Sequence, residues 1–366
     1  MNILYISSIG GSQSVGPTYS IPAQIGAQSR YDNVFWYNSV KCKTDIFRNL
    51  PFYHDISDYD ISDIKDLPKP FDDPDLVVFE LVYNLAKCPL RKSVMESNIP
   101  YIIVPRSNLT KQAQKKKQIK KIIGNMLIFN RFVKRAAAVQ YLTKKEEEDS
   151  SPKWNYNHFI ISNGIDLKKE VKKEFSKDGI EAVYIGRLEP YQKGLDLLIK
   201  ACGELQDILR KNCFLLKLYG TVKKEAVLTK INQMIVEEGI NDFVSLHQAV
   251  YDERKKAVLL NADVFIMTSR FEGQPMGLLE AVSYGLPCVV TEGTYMMNDI
   301  HEYNSGWGCE TTVKGIKEAL IAMIKEQTCF AEKSNNAIKL AEKYSWDSIA
   351  EKSHEEYMRL VCIERK

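Results

Sequence analysis

Short runs of β-branched and apolar residues alternate with longer helical patterns along almost the whole chain. Many of these runs are continuously apolar, as in Val183-Tyr184-Ile185, which is typical of parallel strands that are covered on both faces. Helical patterns separate the runs, for example at 193–211, 223–238 and 331–344. The alternation predicts an α/β protein with parallel sheets and β-α-β winding. The predicted strands are Asn2–Ser8, Asn33–Tyr37, Asp75–Phe79, Tyr101–Pro105, Ala138–Leu142, Ala182–Gly186, Phe214–Gly220, Phe243–His247, Asp263–Met267 and Pro287–Thr291.

A domain boundary is predicted after the segment Ser162-Asn163-Gly164-Ile165-Asp166, where a charged stretch precedes a fresh strand. Each half holds about five predicted strands, which is enough for a doubly wound sheet. We therefore predict two Rossmann-like domains that face each other, over 1–163 and 164–344. A last helix, over 345–366, is expected to cross back onto the first domain.

Composition narrows the class of protein. The 366 residues are 45% apolar and 27% charged, with a net charge of +3, which is typical of a soluble globular protein and excludes disordered and collagen-like chains. No apolar run is long enough to span a membrane, and the sequence after Met1 lacks the features of a signal peptide. The eight cysteines and five histidines are scattered without zinc spacing, so we expect reduced thiols, no metal site and a cytoplasmic location.

A basic segment at residues 111–135 contains no acidic side chain. Ile119, Ile122, Ile123 and Met126 recur there at spacings of three and four, which predicts an amphipathic helix. The segment fits a solvated charged face or attachment to an anionic membrane surface, on the inner face of the cell membrane. Binding of nucleic acid is not predicted, because aromatic residues do not interleave with the basic ones. Its basic residues are Lys111, Lys115, Lys116, Lys117, Lys120, Lys121, Arg131, Lys134 and Arg135.

Two predicted turns carry groups suited to phosphate. A glycine-rich turn ending in Gly16 leads from the first strand into a helix, and a helix N-terminus offers free N–H groups and a positive dipole end. Its spacing is not that of a nicotinamide-binding turn. Arg187 and Lys193 bracket the turn that opens the second half, where a planar fork and a point charge together fit a diphosphate. Each feature by itself also fits an ordinary turn or ordinary surface charges.

The most informative segment runs from Ser269 to Ala281 and contains two carboxylates, Glu272 in a loop and Glu280 about one turn into a helix. Because a helix rises only about 1.5 Å per residue, Glu280 stays near the helix start and can share a pocket with a group bound there. A carboxylate at that place can accept hydrogen bonds from a diol such as a ribose. A helix cap would explain either carboxylate alone, but not the glycines and proline packed between them.

These motifs together resemble the retaining GT-B glycosyltransferases of family four. The resemblance extends over nearly the whole chain, in order and in spacing, although the N-terminal half matches more loosely. The segments that carry it are Gly16-Pro17, Asn163-Gly164-Ile165-Asp166, Gly186-Arg187, Lys193-Gly194, the E-x7-E pair Glu272 and Glu280, Gly285-Leu286-Pro287, and Ser345-Trp346-Asp347.

The resemblance implies transfer of a sugar from a nucleotide diphosphate sugar with retention at the anomeric carbon, without a cofactor or a required metal. It implies that Arg187 and Lys193 neutralise the donor diphosphate, that Glu280 holds the ribose hydroxyls, and that Glu272 positions the donor sugar. A UDP-sugar is favoured over a GDP-sugar, and a saccharide or lipid-linked saccharide of bacterial surface polysaccharide synthesis is expected as the acceptor. The implied catalytic residues are Glu272, Arg187 and Lys193, and the implied donor-binding residues are Gly16, Arg187, Lys193, Glu272, Gly273, Gln274, Met276, Gly277, Leu278 and Glu280.

Two positions depart from the family pattern. Glu80 stands where many relatives carry a histidine near the donor sugar, so Glu80, together with Arg106, is predicted to contact the acceptor or the sugar. Gln248 stands where relatives often carry a glycine near the base. Two other functions stay open: a nucleotide-sugar epimerase of the same fold, and a non-catalytic partner subunit that binds a sugar nucleotide.

Overall fold

The computed structural model divides into two compact units, Met1–Gly164 with Trp346–Lys366, and Ile165–Ser345. Each unit is built on a parallel sheet with helices around it, which confirms the predicted α/β fold class. The structure describes residues 1–11, 16–42, 45–115, 118–150, 154–222 and 224–364.

The sheet of the first unit has seven strands among the described residues. They are β1 (Asn2–Ser7), β2 (Asn33–Asn38), β3 (Tyr53–Asp55), β4 (Leu76–Glu80), β5 (Tyr101–Val104), β6 (Ala138–Tyr141) and β7 (His158–Ile160). Their order is β3-β2-β1-β4-β5-β6-β7, so the winding reverses between β1 and β4. Along β1, Leu4 and Ile6 enter the core on one face while Ile3 and Tyr5 enter the core on the other, as the alternation of side chains in a strand requires.

Helices connect these strands. They are α1 (Pro17–Gln28), α2 (Leu90–Glu96), α3 (Lys111–Lys115), α4 (Gln118–Gly124), α5 (Asn130–Lys134) and α6 (Lys144–Ser150), with short 3₁₀ turns at Asp45–Phe47, Ile64–Asp66 and Tyr83–Lys87 and a π-helical turn at Asn125–Phe129.

The sheet of the second unit has six strands in the described part of the chain. They are β8 (Ile180–Ile185), β9 (Phe214–Gly220), β10 (Val244–Gln248), β11 (Val264–Met267), β12 (Cys288–Thr291) and β13 (Gly306–Cys309). Their order is β10-β9-β8-β11-β12-β13, and the winding reverses between β8 and β11. Ligands of doubly wound sheets bind outside the carboxyl ends of the strands at such a reversal.

The helices of this unit are α7 (Leu195–Glu204), α8 (Gln206–Lys211), α9 (Glu225–Glu237), α10 (Asp252–Asn261), α11 (Met276–Ser283), α12 (Met297–Glu302), α13 (Val313–Lys325) and α14 (Phe330–Lys343), with 3₁₀ turns at Glu292–Thr294 and Gln327–Cys329.

Helix α15 (Trp346–Glu364) returns to the first unit, where it packs against α1. Its residues Tyr357, Leu360 and Val361 belong to a core cluster of that unit. The Tyr357 hydroxyl also donates a buried hydrogen bond of 2.8 Å to the amide oxygen of Gln140 on β6. The chain therefore completes the first unit only after it has built the second.

The basic segment is helical from α4 through the π turn to α5, while Lys116 and Lys117 lie outside the described residues. The apolar side chains of its first half do not pack on the core: Ile119 is 75% exposed, Met126 72% and Leu127 70%, whereas Phe129, Phe132 and Val133 further along are buried. Ile122 and Ile123 are exposed as well. None of the described helices combines the length and the apolar content needed to cross a bilayer.

Candidate functional site

Two turns meet at the carboxyl edge of the second sheet. The first, residues 186–194, follows β8 and leads into α7; the second, residues 268–275, follows β11 and leads into α11. Because β8 and β11 are hydrogen-bonded neighbours in a parallel sheet, their carboxyl ends lie side by side. Both turns start at the point where the winding reverses.

The meeting of these turns brings Lys193 and Glu272 together. The Lys193 ammonium donates to Glu272 Oε1 at 2.6 Å, and their side chains are only 11% and 7% exposed. The Ser269 hydroxyl donates to the same carboxylate oxygen. This arrangement places a nearly buried cation and carboxylate at the carboxyl edge of the sheet. Two residues that were predicted to contact one donor are thus in direct contact with each other.

Arg187 lies at the start of the same turn and is exposed. One of its guanidinium nitrogens donates a long hydrogen bond of 3.4 Å to the Gln192 amide oxygen. The Arg187 carbonyl is held in place by a 2.8 Å hydrogen bond that it accepts from the Tyr184 hydroxyl. Burial raises the pKa of Tyr184. The backbone at Arg187 is therefore held while its guanidinium faces solvent.

The predicted donor-binding residues of the second turn and of the α11 start differ in how far they are exposed to solvent. Gly273 and Met276 are exposed, whereas the Leu278 side chain is fully buried in the core beneath α11. Gly277 is the second residue of α11, and a Cβ there would lie 3.2 Å from the Ile185 carbonyl. The helix start therefore lies directly against the end of β8. Gln274, Gly273 and Met276 are positioned to line that edge, and Leu278 contributes packing.

Glu280 is the fifth residue of α11 and forms an ion pair with Lys255 of α10. Both side chains are about three-quarters buried, with 27% and 25% exposure. Lys255 was not predicted as a site residue. Nothing in the local sequence singles it out, because it lies in a run of charged residues, Asp252 to Lys256, and meets Glu280 only through the fold.

An aromatic pair lies at the ends of β9 and β10. The rings of Tyr219 and His247 stack with their centroids 4.7 Å apart, and the His247 ring nitrogen lies 2.8 Å from the Ser245 hydroxyl. Burial, together with the charge of Lys217, lowers the pKa of His247. Gln248, the next residue, ends β10 and is exposed at the same edge.

In the first unit, Glu80 and Arg106 form a buried ion pair. Glu80 ends β4 and has no exposed surface, and its Oε2 accepts from Arg106 Nε at 2.6 Å. The Arg106 guanidinium also donates to Ser20, Gln24 and Asn163. The two predicted contact residues are thus together, but their charged groups face each other and the surrounding polar side chains.

The loop that carries Arg106 is held in an unusual conformation. Arg106 and Ser107 both have positive φ, at 48° and 66°, a region that non-glycine residues seldom adopt. Glu146 of α6 accepts hydrogen bonds from the backbone N–H of Ser107 and, at 2.9 Å, of Leu142. Backbone strain of this kind persists only where the surrounding structure fixes it.

Gly16 is exposed and precedes α1, where its carbonyl accepts from the N–H groups of Tyr19 and Ser20. The preceding part of the predicted glycine-rich turn, residues 12–15, lies outside the described residues. Among the residues that the structure describes, no group of three or more His, Cys, Asp and Glu side chains is arranged to hold a metal ion.

The two doubly wound parallel-sheet units define the GT-B fold. The Anabaena protein HepE, solved in complex with UDP, aligns with a TM-score of 0.71 at 14% identity over 98% of this chain and 100% of that one. The sucrose-phosphate synthase of Thermosynechococcus elongatus aligns with a TM-score of 0.69 at 14% identity over 99% of this chain and 100% of that one. At such low identity these similarities establish the fold alone.

The family model described as "Glycosyl transferases group 1" matches residues 166–344. The mannosylfructose-phosphate synthase of Agrobacterium fabrum is 30% identical over 154 residues, 41% of this chain and 33% of that protein. The Staphylococcus aureus poly(ribitol-phosphate) alpha-N-acetylglucosaminyltransferase is 28% identical over 199 residues, 54% of this chain and 38% of that protein. The chain thus spans less than half the length of these two relatives. This similarity to glycosyl transferases covers nearly the whole second unit, and the first unit lies outside the matched residues.

Proposed function

We propose that this chain is a retaining glycosyltransferase that moves a sugar from a nucleotide diphosphate sugar to a saccharide or lipid-linked saccharide. The observation that carries the proposal is the meeting of Lys193 and Glu272 at the carboxyl edge of the second sheet, with Glu280 on the adjoining helix start. That arrangement supplies a cation for phosphate and carboxylates for hydroxyl groups on one edge.

In the proposed reaction, the bond between the anomeric carbon and the phosphate oxygen breaks, and a bond to the acceptor oxygen forms on the same face. The acceptor proton passes to the leaving phosphate oxygen, so that the substrate supplies the base. Lys193 and Arg187 neutralise the charge that develops on the leaving diphosphate, which is usually the largest contribution to the rate. No metal ion is required in this scheme, because the two cations take that role.

Each carboxylate has its own role in the proposal. Glu280 accepts hydrogen bonds from the ribose, and its pairing with Lys255 fixes the carboxylate beside the α11 start. Glu272 orients the donor sugar while it stays paired with Lys193. The neighbouring turn residues Gly273, Gln274, Met276 and Gly277 line the donor, whereas Leu278 supports it from the core.

A UDP-sugar is the proposed donor and a cell-surface saccharide the proposed acceptor. One structural neighbour, HepE, is described in complex with UDP and glucose. Sequence relatives include a putative teichuronic acid biosynthesis glycosyltransferase of Bacillus subtilis and an amylovoran biosynthesis glycosyltransferase of Erwinia amylovora. These names support a role in bacterial polysaccharide synthesis. For contact with the acceptor or the sugar we propose Glu80 and Arg106, and for the donor side we propose the α1 start at Gly16.

The basic segment is the proposed attachment to the inner face of the cell membrane. Its exposed Ile119, Met126 and Leu127 would enter the headgroup region, while the lysines and arginines around them pair with anionic lipids. From Ser97 to Lys145 the sequence contains no aspartate or glutamate that would oppose this attraction. A protein held there would meet a lipid-linked acceptor in two dimensions.

Nucleotide binding tests the donor site first. Thermal unfolding is followed with UDP, GDP, ADP and their sugar conjugates, since a ligand that binds only the folded state raises the Tm by mass action. We expect UDP and one UDP-sugar to raise the Tm of the protein, and Glu280→Ala to abolish the shift. Glu318→Ala, an exposed glutamate of α13, is the matched control. A wild-type protein that shifts with none of these nucleotides contradicts the proposed donor site.

Turnover then separates transfer from epimerisation and from binding alone. Nucleotide release that requires an added acceptor supports transfer, and NMR of the product gives the anomeric configuration. Conversion of the sugar nucleotide without an acceptor would indicate an epimerase, and binding without any turnover would indicate a non-catalytic partner protein.

Flotation with vesicles tests the membrane attachment. We expect binding to phosphatidylglycerol vesicles at low salt, weaker binding at high salt, and none to phosphatidylcholine alone. The double variant Met126→Ser/Leu127→Ser should lose binding, whereas Val236→Ser, an exposed aliphatic residue of the second unit, should not. Equal flotation of all three proteins would contradict this attachment.

A further inference from the structure

The turns 186–194 and 268–275 are held together by more than the ion pair between Lys193 and Glu272. The Thr268 hydroxyl lies 3.3 Å from the Lys193 carbonyl and 3.2 Å from the Gly194 carbonyl, and donates to them. Gly194 has φ +63°, and a Cβ there would lie 1.9 Å from the Thr268 carbonyl oxygen. The two backbones therefore touch directly beside Lys193.

Arg270 of the second turn also binds residues of the first turn and of the start of α7. Its guanidinium donates to both Asp196 oxygens, at 2.6 and 2.8 Å, and at 2.7 Å to the carbonyl of Tyr191. The Arg270 backbone N–H donates to the Gln192 carbonyl at 2.9 Å, and its guanidinium carbon lies 4.5 Å above the Tyr191 ring. Every one of these contacts joins the second turn to the first turn or to the start of α7.

The contacts of Arg270 bracket Lys193 along the chain. Tyr191 and Gln192 precede it, and Asp196 follows it. On its own turn, Arg270 stands two residues before Glu272. A lysine ammonium is a point charge on a flexible stem, so its ion pair leaves the direction of the side chain free. An arginine that binds a carboxylate through two parallel hydrogen bonds has a fixed direction. The pair of Arg270 and Asp196 therefore fixes the backbone that carries Lys193 and Glu272.

We propose that Arg270 and Asp196 form a positioning pair for the donor site, which holds Lys193 and Glu272 in register with each other. The inference rests on the proposed function for its effect on the donor, but not for its effect on the two turns. Loss of the pair allows the turns to separate and leaves the Lys193 ammonium without a fixed place for the diphosphate. Because the Arg270 guanidinium is engaged with Asp196 and the Tyr191 carbonyl, the arginine acts through Lys193 and Glu272.

The second unit offers a matched control. Arg210 of α8 grips Asp242 through both oxygens, at 2.9 and 3.1 Å, and lies 5.4 Å from the Phe243 ring. This pair has the same chemistry and an aromatic neighbour like that of the pair of Arg270 and Asp196. It lies beside the amino end of β10, away from the two turns at the carboxyl edge. Arg210→Ala thus removes an equivalent pair without touching the site.

Hydrogen exchange of the free protein tests the effect on the turns. We expect Arg270→Ala and Asp196→Asn to speed exchange in peptides that cover 187–194 and 268–273 by about tenfold, since the local opening becomes easier. Arg210→Ala should leave these peptides at the wild-type rate. Equal protection of both turns in Arg270→Ala and Arg210→Ala would overturn the proposal.

Kinetics test the effect on the donor. Arg270→Ala is expected to raise the KM for the donor by about tenfold or more, with the KM for the acceptor unchanged. Arg270→Lys, which keeps the charge but not the fork, should fall between wild type and Arg270→Ala. An unchanged donor KM in Arg270→Ala would overturn the positioning role. If the wild-type protein itself neither binds nor turns over sugar nucleotides, the proposed function fails, and the exchange experiment still decides whether the pair holds the turns.

Discussion

Glu272 Oε1 lies 2.6 Å from the Lys193 ammonium, although 79 residues separate the two in sequence. The sheet joins them, because the turn after β8 and the turn after β11 leave the same edge. The pair keeps a cation in place where a diphosphate is proposed to bind. It also neutralises the Glu272 carboxylate, which is only 7% exposed.

The pair predicts separate effects on stability and on transfer. Lys193→Met leaves a nearly buried carboxylate without its partner, so it should lower the Tm and abolish transfer. The double variant Lys193→Met/Glu272→Gln should recover most of the lost Tm, because the unpaired charge is gone, while transfer stays absent. Calorimetry and initial rates measure the two quantities. Transfer by either variant at the wild-type rate would contradict the role given to Lys193.

Gly194→Ala should destabilise the second unit by about 2 kcal/mol or more, because the new methyl group meets the Thr268 carbonyl and the residue requires a positive φ. Gly10→Ala is the control, since a Cβ at Gly10 meets nothing within 4 Å. Urea unfolding gives the free energy of each variant. Equal unfolding free energies for the two variants would show that the turns do not approach as closely as described.

Glu80→Ala should lower the stability of the first unit by about 3–5 kcal/mol, because it leaves the Arg106 guanidinium buried without its carboxylate. The double variant Glu80→Leu/Arg106→Leu should be more stable than Glu80→Ala. If Glu80 served only to contact an acceptor, Glu80→Ala would change the acceptor KM and leave urea unfolding as in the wild type. Both measurements on one preparation separate these outcomes.

Glu146 predicts a pH dependence of stability. Burial raises its pKa above the ordinary value of 4.5, although the N–H groups of Leu142 and Ser107 and the charge of Arg106 oppose the shift. A raised pKa in the folded state favours folding below pH 4.5, where Glu146 is protonated in both states, and this contribution is lost as the pH rises through the folded-state pKa. Glu146→Gln should therefore lose less stability than the wild type between pH 4.5 and neutrality.

The control for this experiment is Glu148→Gln, an exposed residue of the same helix. Its urea midpoint should follow the wild-type pH profile. A Glu146→Gln profile parallel to the wild type would contradict the raised pKa.

The sequence predicts the interior of both sheets well and their edges poorly. Every predicted strand is present, with ends that shift by at most two residues. The three strands that were not predicted, β3, β7 and β13, each lie at an edge of a sheet. They have three or four residues, and one face of each is less covered, so they lack the continuous apolar run that identifies a central strand.

The sequence likewise predicts some residues of the candidate site and misses others. Lys193, Glu272 and Glu280 could be named because each stands in a turn or at a helix start, where the local pattern has a chemical meaning. Lys255, which pairs with Glu280, and Arg270, which pairs with Asp196, could not be predicted, since these contacts span 25 and 74 residues and depend on which strands are neighbours. The exposure of Ile119 and Met126 agrees with one of the two interpretations of the basic segment, because an amphipathic helix that attaches to a membrane keeps its apolar face off the core.

The passage of the chain through the two units has a consequence for synthesis on the ribosome. The second unit is one continuous stretch whose ends, Ile165 and Ser345, pair side by side as a parallel bridge, so it can close as soon as it has emerged. The first unit begins earlier but waits for Tyr357, Leu360 and Val361 to fill its core. During translation the order of emergence and the order of completion are therefore reversed, and part of the first unit's core stays uncovered until the last helix has been synthesised.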